Sequence, residues 1–383
     1  MDFDEYIRQG EPGKKEKASI WQTAIGLQDV DGLQTSDYLR STARKHIEGE
    51  IDIDEVRNLI KSYYQSKTQR EPDDDGKQEA DKVSANIAKI LSSQTLDFSA
   101  GGYISVHRRV FDGVFKHAGK LRDYDITKRE WVLDGDTVNY LNWEDLRRAL
   151  DYDIEQEKAF SYIGISSDAM VEHIARFVSG LWQIHAFCEG NTRTTAVFAI
   201  LYLRSIGFKV NNELFARHSW YFRNALVRAN YKNAIQGIDY TIVYLERFFR
   251  NLLLGDHWDL RNRYLHIHAL PEWKVQPNNS TNVATGQVRD KFGTSSGQVR
   301  DKLHTNNANI KRLVGVIGNE QLSMKAMMEG VGLKGRNNFL NTYLYPAIQE
   351  GYVCLLYPQS PRHPRQKYLL TVKGQSLWNE ISQ

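Results

Sequence analysis

The sequence predicts a mainly α-helical chain in three parts, and three observations carry that prediction. Long segments place apolar residues at helical spacing behind Ser or Asp caps. The strongest β signal ahead of residue 255 is an Asp-Gly turn set among β-prone residues, in "REWVLDGDTVNYL". Beyond residue 308, helix, short helix, turn and helix precede two β-prone runs around a Pro/Arg/Ser loop, the layout of a winged helix-turn-helix.

The 383 residues suffice for two or three domains. A net charge of only +3 does not suit a protein that coats nucleic acid. Cys188 and Cys354 stand far apart and form neither a disulfide framework nor a zinc pattern, so a reducing compartment is expected. The N-terminus lacks the apolar core of a signal peptide, and no run is long enough to span a bilayer. These features predict a soluble cytoplasmic protein without membrane contact.

In order, the first module runs over residues 1–66. Ser36 caps a helix carrying Tyr38, Leu39, Ala43 and Ile47 on one face, and Asp52 with Glu55 opens a second with Val56, Leu59, Ile60 and Tyr63. The polar segment 67–77 reads as a linker. A helical core is expected over 78–255. In it "SSDAMVEHIARFVSGLWQIHAF" forms an amphipathic helix, and "TTAVFAILYLRSIGF" a helix buried at the centre of its domain. Residues 256–307 connect to the last part and hold a short repeat, "GQVRDKFGTSS" then "GQVRDKLHTNN", too brief for a solenoid. The winged helix covers 308–383.

Between the two core helices lies "IHAFCEGNTRTTAVF", which sets His185, Glu189, Asn191 and Arg193 in an apolar frame. A new helix begins near Asn191, so "EGN" sits where free backbone N–H groups and the helix dipole favour an anion. Gly190 permits close backbone approach to a phosphate, and Arg193 forks onto phosphate oxygens. Glu189 suits Mg²⁺, and His185 suits a base for an attacking hydroxyl. A base, a metal carboxylate, an amide nest and a guanidinium together describe phosphoryl or nucleotidyl transfer.

This stretch resembles the Fic-domain signature, H-x-F-x-(D/E)-G-N-G-R-x-x-R, matched here by His185, Phe187, Glu189, Gly190, Asn191 and Arg193. The resemblance spans roughly residues 85–250, and "EWVLDGDTV" stands where the family's flap hairpin is expected. It implies a mainly α fold: a Fic-type helical core with a β-hairpin flap, followed by the winged helix-turn-helix. It also implies transfer of AMP from ATP to a Tyr, Ser or Thr hydroxyl of a target protein, with Mg²⁺, releasing pyrophosphate. His185 would be the base and Glu189 the Mg²⁺ ligand, while Gly190, Asn191, Thr192 and Arg193 hold phosphates. Trp131, Val132 and Leu133 of the flap would hold the target by strand pairing. Tyr221 and Asn224 are candidates to border the adenine. His107, His117 and Arg122 read as structural or flap-supporting.

Two positions depart from the signature: Thr192 replaces a Gly, and Ala196 the second Arg, which holds the γ-phosphate in the family. The first module resembles the antitoxin-type segment that precedes many Fic domains, whose (S/T)-x-x-x-E-G motif pairs with that Arg. Here its nearest equivalent is "LQDVDG", with Leu27 for the hydroxyl residue and Asp31 as a degenerate inhibitory position. With both halves altered, the usual Glu–Arg lock is expected to be absent. The alternatives are another nucleotidyl or phosphoryl transfer, or a nucleotide-sensing DNA-binding regulator without turnover. Residues 308–383 hold nine Lys/Arg against four Asp/Glu, among them Lys334, Arg336, Arg362, Arg365 and Lys367, which suits DNA as a partner, with protein docking as the alternative use of such a fold. A homo-oligomer is equally compatible with the sequence.

Overall fold

Helix caps set the outline of the molecule. The computed structural model describes residues 3–66, 71–93, 95–162, 164–208, 210, 213–269, 305–356 and 366–382. The chain opens with α1 (Asp4–Gln9) and α2 (Pro12–Gly26), then tightens into a 3₁₀ segment, Leu27–Asp31, closed by Gly32 in the left-handed region at φ 68°. In α3 (Asp37–Glu48) the Ser36 hydroxyl accepts the Leu39 N–H, and α4 (Ile53–Gln65) starts from a complete Asp52/Glu55 capping box. Then follow α5 (Gln78–Ser92), α6 (Ala100–Val110), α7 (Leu146–Ala159), α8 (Ser167–Ile184), α9 (Asn191–Ser205), α10 (Glu213–Ala229) and α11 (Val243–Phe249). In α9 every residue from Asn191 to Leu203 is buried, as a helix apolar on nearly all faces requires.

One continuous core runs from Phe3 to Leu265. Trp21, Leu27 and Val30 of the N-terminal helices are fully buried in it together with Tyr103 and Phe198. Gly26 lies against α10, where a Cβ would meet the Ala216 carbonyl, and the Ser219 hydroxyl donates to the Gly26 carbonyl at 2.8 Å.

The expected flap hairpin is replaced by a tighter turn. Asp134 (φ 55°) and Gly135 (φ 86°) adopt the left-handed pair expected of an Asp-Gly turn. The flanks form no ladder, however: Trp131–Leu133 is a 3₁₀ turn, held by the Glu130 N–H to the Asp136 carbonyl and the Gly135 N–H to the Glu130 carbonyl, each 3.0 Å. A strand would send either Val132 or Leu133 to solvent, whereas here both are buried.

A second core holds α12 (Ala308–Ile317), α13 (Met324–Gly330) and α14 (Arg336–Phe339), which runs through a π turn at Leu340–Leu344 into α15 (Tyr345–Gln349). Strands β1 (Val353–Leu355) and β2 (Tyr368–Leu370) pair antiparallel, Leu322 bridges to Tyr368, and α16 (Val372–Ile381) closes the unit. It meets the first core where Gly207 (φ 100°) faces Gly351, so closely that a Cβ on Gly207 would lie 2.6 Å from the Gly351 carbonyl oxygen. Arg362, Arg365 and all but the last three residues of the eleven-residue repeat lie outside the described residues. No helix among the described residues is long and apolar enough to cross a membrane.

Candidate functional site

The loop joining α8 to α9 is clamped from several sides. His185 caps α8 in the left-handed region (φ 49°, ψ 55°), an uncommon conformation for a residue with a side chain. The buried Arg122 guanidinium holds it there by donating to the carbonyls of His185 (2.8 Å), Tyr124 (2.7 Å) and Leu141. A cation at a helix C-terminus also suits the dipole. The Gly119 N–H donates to His107 Nδ1 at 2.8 Å, so the imidazole carries its proton on Nε2 and donates it to the Glu189 carbonyl at 3.0 Å. Phe187 stacks on that ring at 3.7 Å. Arg122 and His107 therefore shape the loop, as the sequence suggested.

Asn191 cross-links the same loop: the Phe187 N–H donates to its Oδ1 at 2.9 Å, and its Nδ2 donates back to the Phe187 carbonyl at 2.7 Å. Its side chain is thus committed, while the first backbone N–H groups of α9 have no partner within the helix. Gly190 (φ 75°) fits because a Cβ there would run into the Phe111 ring. Thr192 accepts the Trp182 indole N–H at 2.9 Å, so the hydroxyl that replaces the usual glycine packs the wall of the site.

The His185 ring lies over Tyr140 at 4.1 Å, with Trp182 edge-on at 5.2 Å. Burial, reinforced by the Lys128 charge, holds its pKa well below the usual histidine value, so the ring is neutral. Nδ1 lies 3.3 Å from the Trp182 carbonyl, an acceptor, which places the proton there. Nε2 is buried and has no partner in the structure. The result is a neutral imidazole with a free lone pair, in the state a general base needs.

Beside it lies a cavity of about 10 Å³, lined by Asp31, Lys128, Glu130, Trp182, His185, Gly190, Asn191, Thr192 and Arg223. That volume admits roughly one water molecule. Next to it, residues of the first module and of α5 meet Arg193. Arg193 Nε lies 2.9 Å from Asp31 Oδ2, Nη1 donates to Gln28 at 3.0 Å, and Nη2 to Glu79 at 2.8 Å. The Arg193 guanidinium rests on the Phe111 ring at 4.8 Å. Arg223 from α10 donates to the Val30 carbonyl at 2.8 Å, binds Glu130 at 3.0 Å, and lies 3.4 Å from Asp31 Oδ1. The expectation above concerned the usual lock on the second arginine, whose position is Ala196; the contact present here is a different one. Asp31 meets Arg193, the first arginine, and needs no second one.

Other expectations change as well. Of the flap residues only Trp131 is accessible, at 48 %; Val132 and Leu133 are buried, and the Val132 carbonyl already accepts the Ile267 N–H at 3.0 Å. Tyr221 and Asn224 are buried away from the cavity lining, with Asn224 Nδ2 donating to Asn262 at 2.8 Å, because α10 turns Arg223 between them toward the site. Glu189 projects outward and pairs with Lys128 at 3.0 Å. Sequence reading missed Gln28, Glu79, Lys128, Glu130 and Arg223, which come from separate elements and carry no local signal.

Among the described residues no three His, Cys, Asp or Glu side chains cluster as a metal cage. A lone carboxylate such as Glu189 nevertheless fits Mg²⁺, which takes one or two protein carboxylates and fills its shell with phosphates and water.

Comparison with known proteins finds family matches for two segments. Residues 97–203 match the Fic/DOC family model, and residues 308–371 match "Filamentation induced by cAMP protein Fic-like, C-terminal domain". No curated protein matches the chain. A Fic family protein from Desulfovibrio desulfuricans G20 aligns with 97 % of this chain and 94 % of its own, at 14 % identity and a TM-score of 0.42. The N-terminal Fic domain of a VirB-translocated Bep effector protein from Bartonella quintana aligns over 35 % of this chain and 67 % of its own, at 22 % identity and a TM-score of 0.27. Fic domains are generally linked to AMPylation or related nucleotidyl transfer, their enzymes use nucleotide and Mg²⁺, and they act on protein targets. Two segments of this chain thus carry the Fic likeness, residues 97–203 by the Fic/DOC model and residues 308–371 by the Fic-like C-terminal model.

Proposed function

We propose that the chain transfers AMP from ATP to a Tyr, Ser or Thr hydroxyl of a target protein and releases pyrophosphate. The observation that carries this reading is the buried, neutral and unpartnered Nε2 of His185 beside the helix-start anion cavity. In this reading Nε2 takes the hydroxyl proton as that oxygen attacks the α-phosphorus. The bond to the bridging oxygen breaks, and the charge on the departing pyrophosphate falls to the α9 N–H groups and Arg193. Mg²⁺, held by Glu189 and the nucleotide, would supply further charge neutralisation when bound. Trp131, the accessible flap side chain, is the first candidate to touch the target. Asp31 stands where phosphate would sit, so this conformation is the restrained one. ATP labelled at the α- or γ-phosphate tests the reaction: α-label should enter protein and disappear in His185→Ala. Label from the γ-position would indicate a kinase, and none from either would favour a nucleotide sensor.

We also read residues 308–383 as a winged helix. Lys334 and Arg336, beside the start of α14, are the cations offered to DNA phosphates.

A further inference from the structure

We propose that Arg223 on α10 supplies the second guanidinium for the oligophosphate end of the nucleotide, in place of the side chain missing at Ala196. This rests on the nucleotide-transfer reading above and adds a binding residue to it. Ala196 is fully buried in α9 and offers no charge. Arg223 reaches the same cavity from another helix and lines it together with His185, Gly190, Asn191 and Thr192.

The position of Asp31 shows what the pair of arginines holds. Its two carboxylate oxygens face different guanidiniums, Oδ2 at 2.9 Å from Arg193 Nε and Oδ1 at 3.4 Å from Arg223 Nη1. A carboxylate between two guanidiniums occupies the place of a phosphoryl group, since both present oxygens to the same planar fork. Arg223 also keeps unused donor capacity, because its Nε is buried with no acceptor. Its remaining contacts hold it ready: the guanidinium lies 5.4 Å from the Trp220 ring, and Glu130 grips it through both oxygens at 3.2 and 3.0 Å. When Asp31 withdraws, Glu130 and the Val30 carbonyl remain as orienting partners of Nη2 and Nη1, and Nε with the other Nη1 hydrogen is left for phosphate. The rival role is a fastener that ties the N-terminal helices to α10, and that role has no preference among nucleotides.

Calorimetric titration of ATP and AMP into the full chain separates the two roles, using Asp31→Ala to open the site. ATP should bind this variant. Adding Arg223→Gln should weaken ATP by about tenfold or more, as expected for lost charge-assisted hydrogen bonds, with AMP little changed. Ala196→Arg in that double variant should restore part of the ATP affinity. Equal weakening of ATP and AMP, or no weakening of either, overturns the proposal while leaving nucleotide transfer intact. If Asp31→Ala binds no nucleotide, the transfer reading itself fails and takes this one with it. Should Arg223→Gln not fold, Arg223→Lys keeps the charge, removes the fork and bears the same comparison.

Discussion

The Asp31 carboxylate lies 2.9 Å from Arg193 Nε, which joins the last residue of a 3₁₀ segment to the signature arginine of the Fic loop. The contact is a charge contact rather than an aligned hydrogen bond, since Nε is also without a directed acceptor. Asp31→Ala should therefore raise nucleotide transfer by about tenfold or more, equivalent to about 1.4 kcal/mol. Because the variant leaves two guanidiniums short of a partner, its melting temperature should fall as activity rises. Unchanged labelling with α-labelled ATP would show that Asp31 restrains nothing.

His185 sets the pH response. In its proposed role as base the ring must be neutral, and burial together with Lys128, Arg122 and Arg223 lowers its pKa well below 6.5. Acidification protonates it only well below that value. Transfer should accordingly stay level as pH falls from 8 to about 6.5, the ordinary histidine pKa, and decline only beyond it. A half-loss near pH 6.5 in initial-rate measurements would mean that the ring is far more solvated than its burial implies.

Gly190→Ala tests the geometry of the loop. The new methyl meets the Phe111 ring at a φ of 75°, so strain and collision add. Left-handed strain of this kind costs on the order of 1–3 kcal/mol. Phe111 is also the platform under Arg193, so the variant should lose nucleotide affinity in calorimetry as well as melting temperature. Wild-type values for both would refute the account of this glycine.

The Trp21 indole donates to His46 Nδ1 at 3.0 Å, a contact that needs a neutral imidazole. Burial, aided by Lys17, pushes the His46 pKa down to about 4 from 6.5. Between these values the unfolded chain binds the extra proton and the folded one does not. Stability is therefore full above pH 6.5 and drains away as pH falls toward 4. His46→Leu should flatten that slope in chemical denaturation, and should cost about 1–3 kcal/mol at neutral pH by orphaning the buried indole N–H.

Local chemistry was legible in the sequence. Ser36, Asp52 and Ser166 cap helices where expected, because a cap is decided by residues three apart. The His185–Arg193 loop was legible for the same reason, being one contiguous run. What failed depended on distant partners. Val132 and Leu133 fold into a 3₁₀ turn because the core accepts both, not because of their own β propensity. Arg223 gave no warning in "YFRNAL"; only the packing of α10 against the N-terminal helices turns it to the cavity. The departure at Thr192 has its reason in a partner ten residues away, the Trp182 indole N–H that its hydroxyl accepts.

The core that Trp21, Leu27 and Val30 share with the rest of the molecule bears on how the restraint would be released. A detachable cap would lift off whole, but here that would strip the wall from the protein's own interior. Deleting the N-terminal helices should then yield aggregated protein in place of a hyperactive enzyme. Release by a short stroke would disturb far less: unwinding the turn before Gly32 would swing Asp31 outward and leave Trp21 seated. A restraint by Asp31, as proposed above, would thus work as a latch within the wall, and whatever released it would have only to act on a few residues near position 31.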